Sequence, residues 1–228
     1  MIIAVIPARG GSKRIPRKNV KLFMGLPMIT YSINAALNSK LFDKVIVSTD
    51  DHEICSIAKG CGAEVPFFRP DCLSDDYTPT VPVIQHTIDY LMGNGLRVDA
   101  VCCIYPCAPL ININDLIEAF SILKENSNKY VFPVVKFQSS IRRALKKECS
   151  TNAVAPFFAE NELVRTQDLD DAYFDSGSFY LAKKKTWLTS LNIHSNSVVL
   201  EVPFWRGIDI DDEEDWVLAE NMCKFLRK

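Results

Sequence analysis

Short apolar runs alternate with amphipathic stretches along this chain of 228 residues. The apolar runs predict buried strands at residues 2–6, 44–48, 64–68, 98–104 and 129–135. Periodic apolar positions between them predict helices at residues 27–37, 52–59, 80–92 and from about 112 to 125. A last amphipathic helix follows residue 212. This alternation of strands and helices is typical of an α/β protein with a doubly wound, mostly parallel sheet.

A basic loop follows the first predicted strand directly. Five cations lie within ten residues, at Arg9, Lys13, Arg14, Arg17 and Lys18, with Gly10 and Gly11 at the turn. These charges repel one another unless an anion lies among them, and paired glycines let backbone N–H groups approach that anion. The loop matches neither G-x-x-x-x-G-K-[ST] nor G-x-G-x-x-G. It predicts a site for a polyphosphate.

A basic cluster also occurs as a solvated face or a nucleic-acid patch. This cluster is rooted in a buried strand, and the rest of the sequence contains no comparable basic run. The formal net charge of -2 also argues against nucleic acid as a partner.

Composition limits the alternatives further. A hydrophobic share of 48% is enough for the core of one domain spanning residues 1–228. No run reaches 18 apolar residues and no basic leader precedes the first strand, so we expect a cytoplasmic protein without membrane partners. The eight cysteines form no C-x-x-C pair, which favours buried free thiols over zinc ligands.

Two carboxylates near the C-terminus are candidate metal ligands. Asp209 and Asp211 alternate with Ile208 and Ile210, so a short strand would place both carboxylates on one face. Oxygen ligands of this kind suit Mg²⁺, which substrate phosphates complete. The alternative is helix capping. Either Asp211 or Asp212 could cap the last helix, whereas Asp209 lies before the cap position.

The segment Ala-Arg-Gly-Gly-Ser-Lys-Arg-Ile-Pro-Arg-Lys-Asn at residues 8–19 resembles the nucleotide-binding signature of the CMP-sugar synthetases, the acylneuraminate cytidylyltransferase family. The Ile-Asp-Ile-Asp run at 208–211 is similar to the metal motif of that family. The resemblance implies a Rossmann-like nucleotidyltransferase fold. It also implies a nucleotide-binding set of Ala8, Arg9, Gly10, Gly11, Ser12, Lys13, Arg14, Lys18, Asn19, Arg69, Asp76 and Thr80. Loop capping by Asp75 and Asp76 is the alternative for the Arg69–Asp76 segment.

Two further segments bear on which sugar the resembled family would lead us to expect as the substrate. Tyr-Pro-Cys-Ala-Pro-Leu at 105–110 resembles the family's Gln-Pro-Thr-x-Pro-Leu, with Tyr105 in place of glutamine, as in the branch that activates pseudaminic acid for bacterial surface glycosylation. Residues 165–180 resemble the same branch, with departures at Phe174, Ser176, Ser178 and Leu181. The implied substrate-binding residues are Tyr105, Arg165, Gln167 and Asp175. A rim aromatic at 105 and exposed surface residues at 165 and 167 are the alternatives.

The resemblance implies transfer of CMP from CTP to the anomeric hydroxyl of an acidic nine-carbon 2-keto sugar, most closely pseudaminic acid, with release of pyrophosphate. Arg9 and Lys13 would act on the phosphates, and Asp209 and Asp211 would hold Mg²⁺ as the cofactor. Legionaminic acid, N-acetylneuraminic acid and a nucleotide-sensing module without turnover are the alternatives. The resemblance also implies a homodimer, because residues at about 136–172 correspond to an extension that packs against a second subunit in that family. The sequence itself shows only an irregular insert there.

Overall fold

A mixed seven-stranded sheet forms the centre of the structure, a computed structural model that describes residues 1–226. The strands along the chain are β1 Ile2–Pro7, β2 Leu22–Phe23, β3 Leu26–Pro27, β4 Lys44–Ser48, β5 Ala100–Ile104, β6 Tyr130–Lys136, β7 Leu145–Lys147, β8 Val154–Pro156, β9 Tyr173–Asp175, β10 Phe179–Lys183 and β11 Ser197–Glu201. The central sheet has the order β11-β6-β10-β5-β1-β4, and β9 also pairs with β6. The pairs β2–β3 and β7–β8 form separate hairpins.

Five strands of the central sheet run in one direction, which confirms the mostly parallel sheet. β1 pairs in parallel with β4 and β5, and β11 pairs in parallel with β6. Only β9 and β10 run against them. The carboxyl ends of β1, β4 and β5 therefore meet at one edge, where doubly wound sheets bind ligands.

Helices cover both faces of the sheet: α1 Ile29–Ser39, α2 His52–Gly60, α3 Thr80–Gly93, α4 Ile113–Glu125, α5 Lys184–Thr189 and α6 Glu213–Leu226. Side chains cap three of them. Asp51 accepts from Ile54 N at 2.9 Å and Asn112 accepts from Asn114 N at 2.8 Å. Asp212 accepts from Glu214 N at 2.9 Å, which satisfies a free donor of the first turn of α6.

Alternating residues of β1 and β5 divide the core into two layers. Ala4 and Cys102 pack in the layer that contains residues of α1, α2 and α4. Ile3, Val101 and Cys103 pack in the layer that contains residues of α3 and α5. Because successive side chains of a strand point to opposite faces, strands buried on both faces read as continuous apolar runs. Burial raises the pKa of both cysteine thiols, so they stay protonated packing groups, as predicted.

Three predicted elements differ in the structure. The first helix begins at Ile29, because Pro27 pairs in the β2–β3 hairpin instead of opening the helix. Residues 64–68 form only isolated bridges to β4, at Ile46 with Glu64 and at Thr49 with Phe68. The segment around Asp209 forms no strand within the described residues, so the predicted strand there is wrong.

Residues 137–172 leave the sheet after β6 and return at β9 as 3₁₀ turns and the β7–β8 hairpin. Leu145 and Val154 of this hairpin are each 59% exposed, and Leu163 is 97% exposed. Within residues 1–226, no helix combines the length and the apolar character that crossing a bilayer requires.

Candidate active site

A cavity of about 400 Å³ opens at the carboxyl edge of the sheet, between the loops that follow β1 and β5, the segment 69–80 and the segment before α6. Its lining brings together most of the residues that the sequence singled out. These are Arg9, Ser12, Lys13, Arg14, Lys18, Asn19, Arg69, Asp76, Thr80, Tyr105, Asp209 and Asp211. The loop after the first strand and the segment before the last helix, at opposite ends of the sequence, thus line the same cavity.

The cations of the first loop face carboxylates across this cavity. Arg9 and Lys13 both form ion pairs with Asp76, and Arg14 lies 2.6 Å from Asp211. The hydrogen bonds from Lys13 and then Arg9 lower the pKa of Asp76, which stays an anion. Asp76 is therefore the counter-charge of two cations. Its predicted contact with a nucleotide stays a prediction, and its charge makes direct contact with phosphate unfavourable.

The loop is anchored to the turn between β4 and α2. Gly10 N donates to Asp50 Oδ1 at 3.0 Å, and a Cβ on Gly10 would lie 2.6 Å from Asp51 Oδ2. Only glycine fits this close approach, whereas Gly11 has no atom within 4 Å of its Cβ position. Ala8 is fully buried and donates to Ser48 O at 2.9 Å. Ala8 and Gly10 therefore hold the loop against the turn after β4. Neither these two residues nor Gly11 line the cavity.

Asn19 ties the end of the loop to its beginning. Its Nδ2 donates to Arg9 O at 2.8 Å, and its Oδ1 accepts from Cys107 Sγ at 3.2 Å. Lys18 Nζ donates to Ile210 O at 2.5 Å and lies 3.9 Å from the Asp211 carboxylate. These contacts link the basic loop, the segment after β5 and the two C-terminal carboxylates.

Arg69 contributes a buried positive charge to the cavity wall. The residue is 6% exposed, and within residues 1–226 its Nε and Nη2 have no hydrogen-bond partner. Asp50 Oδ1 lies 3.8 Å from Nη2, which is too far for a hydrogen bond. Burial lowers the pKa of Arg69. Buried donors without a partner are costly, so this side chain is suited to a ligand that supplies acceptors.

Asp209 and Asp211 are the two C-terminal carboxylates that line the cavity, and their predicted role as metal ligands stays a prediction. Desolvation, and then the charge of Asp211, raise the pKa of Asp209. No other side chain within residues 1–226 forms an ion pair or hydrogen bond with Asp209. The same residues contain no group of three or more metal-ligating side chains. Two carboxylates alone suit Mg²⁺, because water and substrate phosphates supply its other ligands.

Polar side chains form a connected row at the end of the cavity beside β10. Thr80 Oγ1 lies 2.6 Å from Tyr105 Oη, and the rings of Tyr105 and Tyr180 meet edge to face with centroids 5.5 Å apart. Tyr180 Oη donates to Asp175 Oδ2 at 2.7 Å. Asp175 lies behind this row and does not line the cavity. Its predicted role in substrate binding therefore stays a prediction.

Arg165 and Gln167 lie outside the cavity. Both are exposed, in or beside the short 3₁₀ turn Thr166–Asp168 of the extension. The structure does not bring them to the other site residues within one chain, so their contact with a sugar stays a prediction.

Several lining residues have no counterpart in the sequence-based set. Cys107 lies in the segment that begins at Tyr105, and Gly177 lies two residues after Asp175. Both therefore belong to segments that the resemblance already singled out. Burial raises the pKa of Cys107 to about 12, which excludes a thiolate nucleophile at neutral pH. A Cβ on Gly177 would lie 3.3 Å from Asp209 Cγ, so this glycine leaves room for the carboxylate.

Comparison with known proteins gives one consistent result. A family model described as cytidylyltransferase matches residues 3–192. The chain is 41% identical to a pseudaminic acid cytidylyltransferase of Campylobacter jejuni over 97% of this chain and 96% of that protein. It is 30% identical to a CMP-N,N'-diacetyllegionaminic acid synthase of Legionella pneumophila, over 98% and 96% of the two chains. A solved CMP:2-keto-3-deoxy-manno-octonic acid synthetase in complex with CTP shares the fold at a TM-score of 0.69 and 16% identity, over 99% of this chain and 98% of that one.

Proposed function

Because this chain belongs to the cytidylyltransferase family and is a CTP-dependent nucleotidyltransferase, we propose that it transfers CMP from CTP to the anomeric hydroxyl of pseudaminic acid. One observation carries the proposal: a single cavity is lined by a basic loop, by a buried arginine with two donors that lack hydrogen-bond partners within residues 1–226, and by two C-terminal carboxylates. Cations suit a triphosphate, and paired carboxylates suit the metal ion that accompanies it.

The basic loop is proposed to bind the triphosphate. Phosphate oxygens would replace Asp76 as the partner of Arg9 and Lys13, and they would replace Asp211 as the partner of Arg14. The same cations would stabilise the charge that develops on departing pyrophosphate, which is the main demand of phosphoryl and nucleotidyl transfer.

Arg69 is proposed to bind the base. Cytosine presents O2 and N3 as neighbouring acceptors, which match two guanidinium donors of Arg69. Uracil carries a donor at N3, so one of these contacts would be lost. The buried, fixed position of Arg69 thus gives a physical reason for choosing CTP over UTP.

Asp209 and Asp211 are proposed to hold Mg²⁺. The ion, when bound, supplies charge neutralisation at the phosphates and lowers the pKa of the attacking hydroxyl. The chain's own residues orient the reactants: Arg9, Lys13 and Arg14 hold the phosphates at one side of the cavity, and Thr80 and Tyr105 face the other. Of the residues that the structure describes, the ones that line the cavity include no histidine.

The extension is proposed to form a homodimer interface in a cytoplasmic enzyme. Its exposed apolar side chains, Leu145, Val154 and Leu163 among them, favour contact with a second copy of the chain. All eight cysteines are free thiols, which suits the reducing cytoplasm. Arg165 and Gln167 lie on this extension, so sugar contacts from these residues would depend on the assembly.

Pyrophosphate release tests the proposal, with CTP, Mg²⁺ and pseudaminic, legionaminic or N-acetylneuraminic acid in parallel reactions. We expect release with pseudaminic acid at a kcat/KM well above that of the other two sugars. Faster release with legionaminic acid would support the proposed reaction but would identify legionaminic acid, not pseudaminic acid, as the sugar substrate. Tight binding of CTP without release from any sugar would point to a nucleotide sensor.

A further inference from the structure

The Asp76 carboxylate divides its two oxygens between two cations of the basic loop. Its Oδ1 accepts a hydrogen bond from Arg9 Nη1, and its Oδ2 forms an ion pair with Lys13 Nζ. Each cation therefore faces an oxygen of its own, and both pairs lie in the lining of the cavity. A phosphate oxygen that binds Arg9 or Lys13 would meet this carboxylate already in place.

A short turn presents Asp76 to the basic loop. Asp75 Oδ1 accepts from Tyr77 N at 2.9 Å, from Thr78 N at 2.6 Å and from Thr78 Oγ1 at 2.8 Å. Within the described residues 1–226, the hydrogen bonds of residues 74, 75 and 78 stay inside the segment 70–78. Asp76 contributes to none of these bonds, so its side chain can leave the two cations without breaking the turn.

We propose that Asp76 is a positioning residue that competes with polyphosphate for Arg9 and Lys13. Its carboxylate pairs with both cations in the free enzyme, lowers the affinity for every ligand that needs them, and pairs with them again as pyrophosphate departs. The inference rests on the proposed function in one respect, that the basic loop holds the β- and γ-phosphates. It assigns Asp76 to product release instead of to contact with the nucleotide.

The balance of charge supports exchange in both directions. Pyrophosphate carries more negative charge than one carboxylate, so it can displace Asp76 from both cations when it is present. Once it leaves, Arg9 and Lys13 would repel one another without a counter-charge. Because Asp76 belongs to the same chain, its effective concentration at these cations is high, and it neutralises them without waiting for an ion from solution. A loop with this many cations would otherwise retain its product.

Asp76→Asn tests the competition, because asparagine has nearly the same shape without the charge. Titration calorimetry with inorganic pyrophosphate at constant Mg²⁺ measures the affinity without any turnover. We expect Asp76→Asn to bind pyrophosphate about 3- to 30-fold more tightly than wild type, since two partly exposed ion pairs no longer have to be broken. Asp76→Glu keeps a carboxylate and should lie closer to wild type than Asp76→Asn does.

A second ligand and a neighbouring variant serve as controls. CMP has no β- or γ-phosphate, so its affinity should change by less than about 2-fold in Asp76→Asn. Asp75→Asn removes the same charge one position away, and its amide oxygen can still accept from Tyr77 and Thr78. This variant should bind pyrophosphate within about 2-fold of wild type, because Asp75 pairs with neither Arg9 nor Lys13.

Product inhibition gives the corresponding kinetic result. The inhibition constant of pyrophosphate against CTP should fall in Asp76→Asn by the same factor as its dissociation constant, which a purely structural role would not produce. Unchanged or weaker pyrophosphate binding in Asp76→Asn, with both proteins folded by thermal melting, overturns the inference. Equal tightening in Asp75→Asn also overturns it, because a general change of charge would then suffice.

The calorimetric result is independent of the sugar. If Asp76→Asn binds pyrophosphate more tightly but no sugar is turned over, the inference holds and the proposed function fails. If pseudaminic acid is turned over and the tightening is absent, the inference fails and the proposed function holds. Pyrophosphate binding by none of the proteins would overturn both.

Discussion

Gly10 and Gly11 offer a sharp test of how the basic loop is held, because they are adjacent and chemically identical. A Cβ on Gly10 would lie 2.6 Å from Asp51 Oδ2, 3.1 Å from its Cβ and 3.2 Å from its Cγ. Rotation of the carboxylate cannot relieve all three contacts, so the loop and the β4–α2 turn must separate by about 0.5–0.8 Å to reach ordinary contact distances. Gly11 has no such neighbour within 4 Å.

Two costs follow for Gly10→Ala. Asp51 caps α2 through Ile54 N and bonds Arg17, so its displacement should lower the free energy of unfolding by about 1–2 kcal/mol. A loop shifted by that distance also misplaces Arg9 and Lys13. Because errors near 1 Å cost up to about 100-fold in oriented reactions, we expect kcat/KM to fall about 10- to 100-fold.

The assay combines pyrophosphate release at varied CTP with urea denaturation, for both alanine variants. Gly11→Ala should stay within about 2-fold of wild-type kcat/KM and be as stable or slightly more stable, because it reduces the freedom of the unfolded chain without a clash. Equal losses in the two variants would refute the reasoning, since the close approach at Asp51 would then not matter.

Three further predictions follow from the site. Asp209→Ala should lower turnover at least about 100-fold while CTP still binds, and full turnover would exclude Asp209 from the proposed metal site. Arg69→Met should weaken CTP binding about 10- to 100-fold in calorimetry with no loss of stability, because buried donors without partners are removed; unchanged affinity would exclude the base contact. The hydrogen bond from Arg17 lowers the pKa of Asp51 to about 2, so this stabilisation is present above about pH 4 and is lost as the pH falls toward 2. Wild type should lose about 1–2 kcal/mol more than Asp51→Asn between pH 5 and 2 in denaturant titrations, and parallel curves would contradict this.

The sequence predicts the parts of this protein whose signals are local. The apolar run at Ile2 continues directly into the basic loop, and that order alone places the loop at the carboxyl edge of the sheet. Asp51 was recognisable as a cap because it stands immediately before an amphipathic run. Buried strands and capped helices are specified by neighbours in sequence, so their positions were largely correct.

The parts that were missed depend on contacts distant in sequence. Pro27 would be acceptable in a first helical turn, but pairing with Leu22 draws it into a hairpin. The nucleotide contact of Asp76 stays a prediction, and only the fold shows that Asp76 pairs with Arg9 and Lys13. The indirect place of Asp175 behind Tyr180 is equally invisible in a linear pattern. Such roles follow from which charges and hydroxyl groups meet after folding.

The most direct test of the account is the identity of the products formed from CTP and pseudaminic acid, read by mass spectrometry with pyrophosphate measured in the same reaction. We expect one CMP-linked sugar and one pyrophosphate for each CTP consumed, because the proposed attack is at the α-phosphorus and the β- and γ-phosphates would leave together, held by Arg9 and Lys13. A CDP-linked sugar with free phosphate, or hydrolysis of CTP without a sugar product, would contradict it.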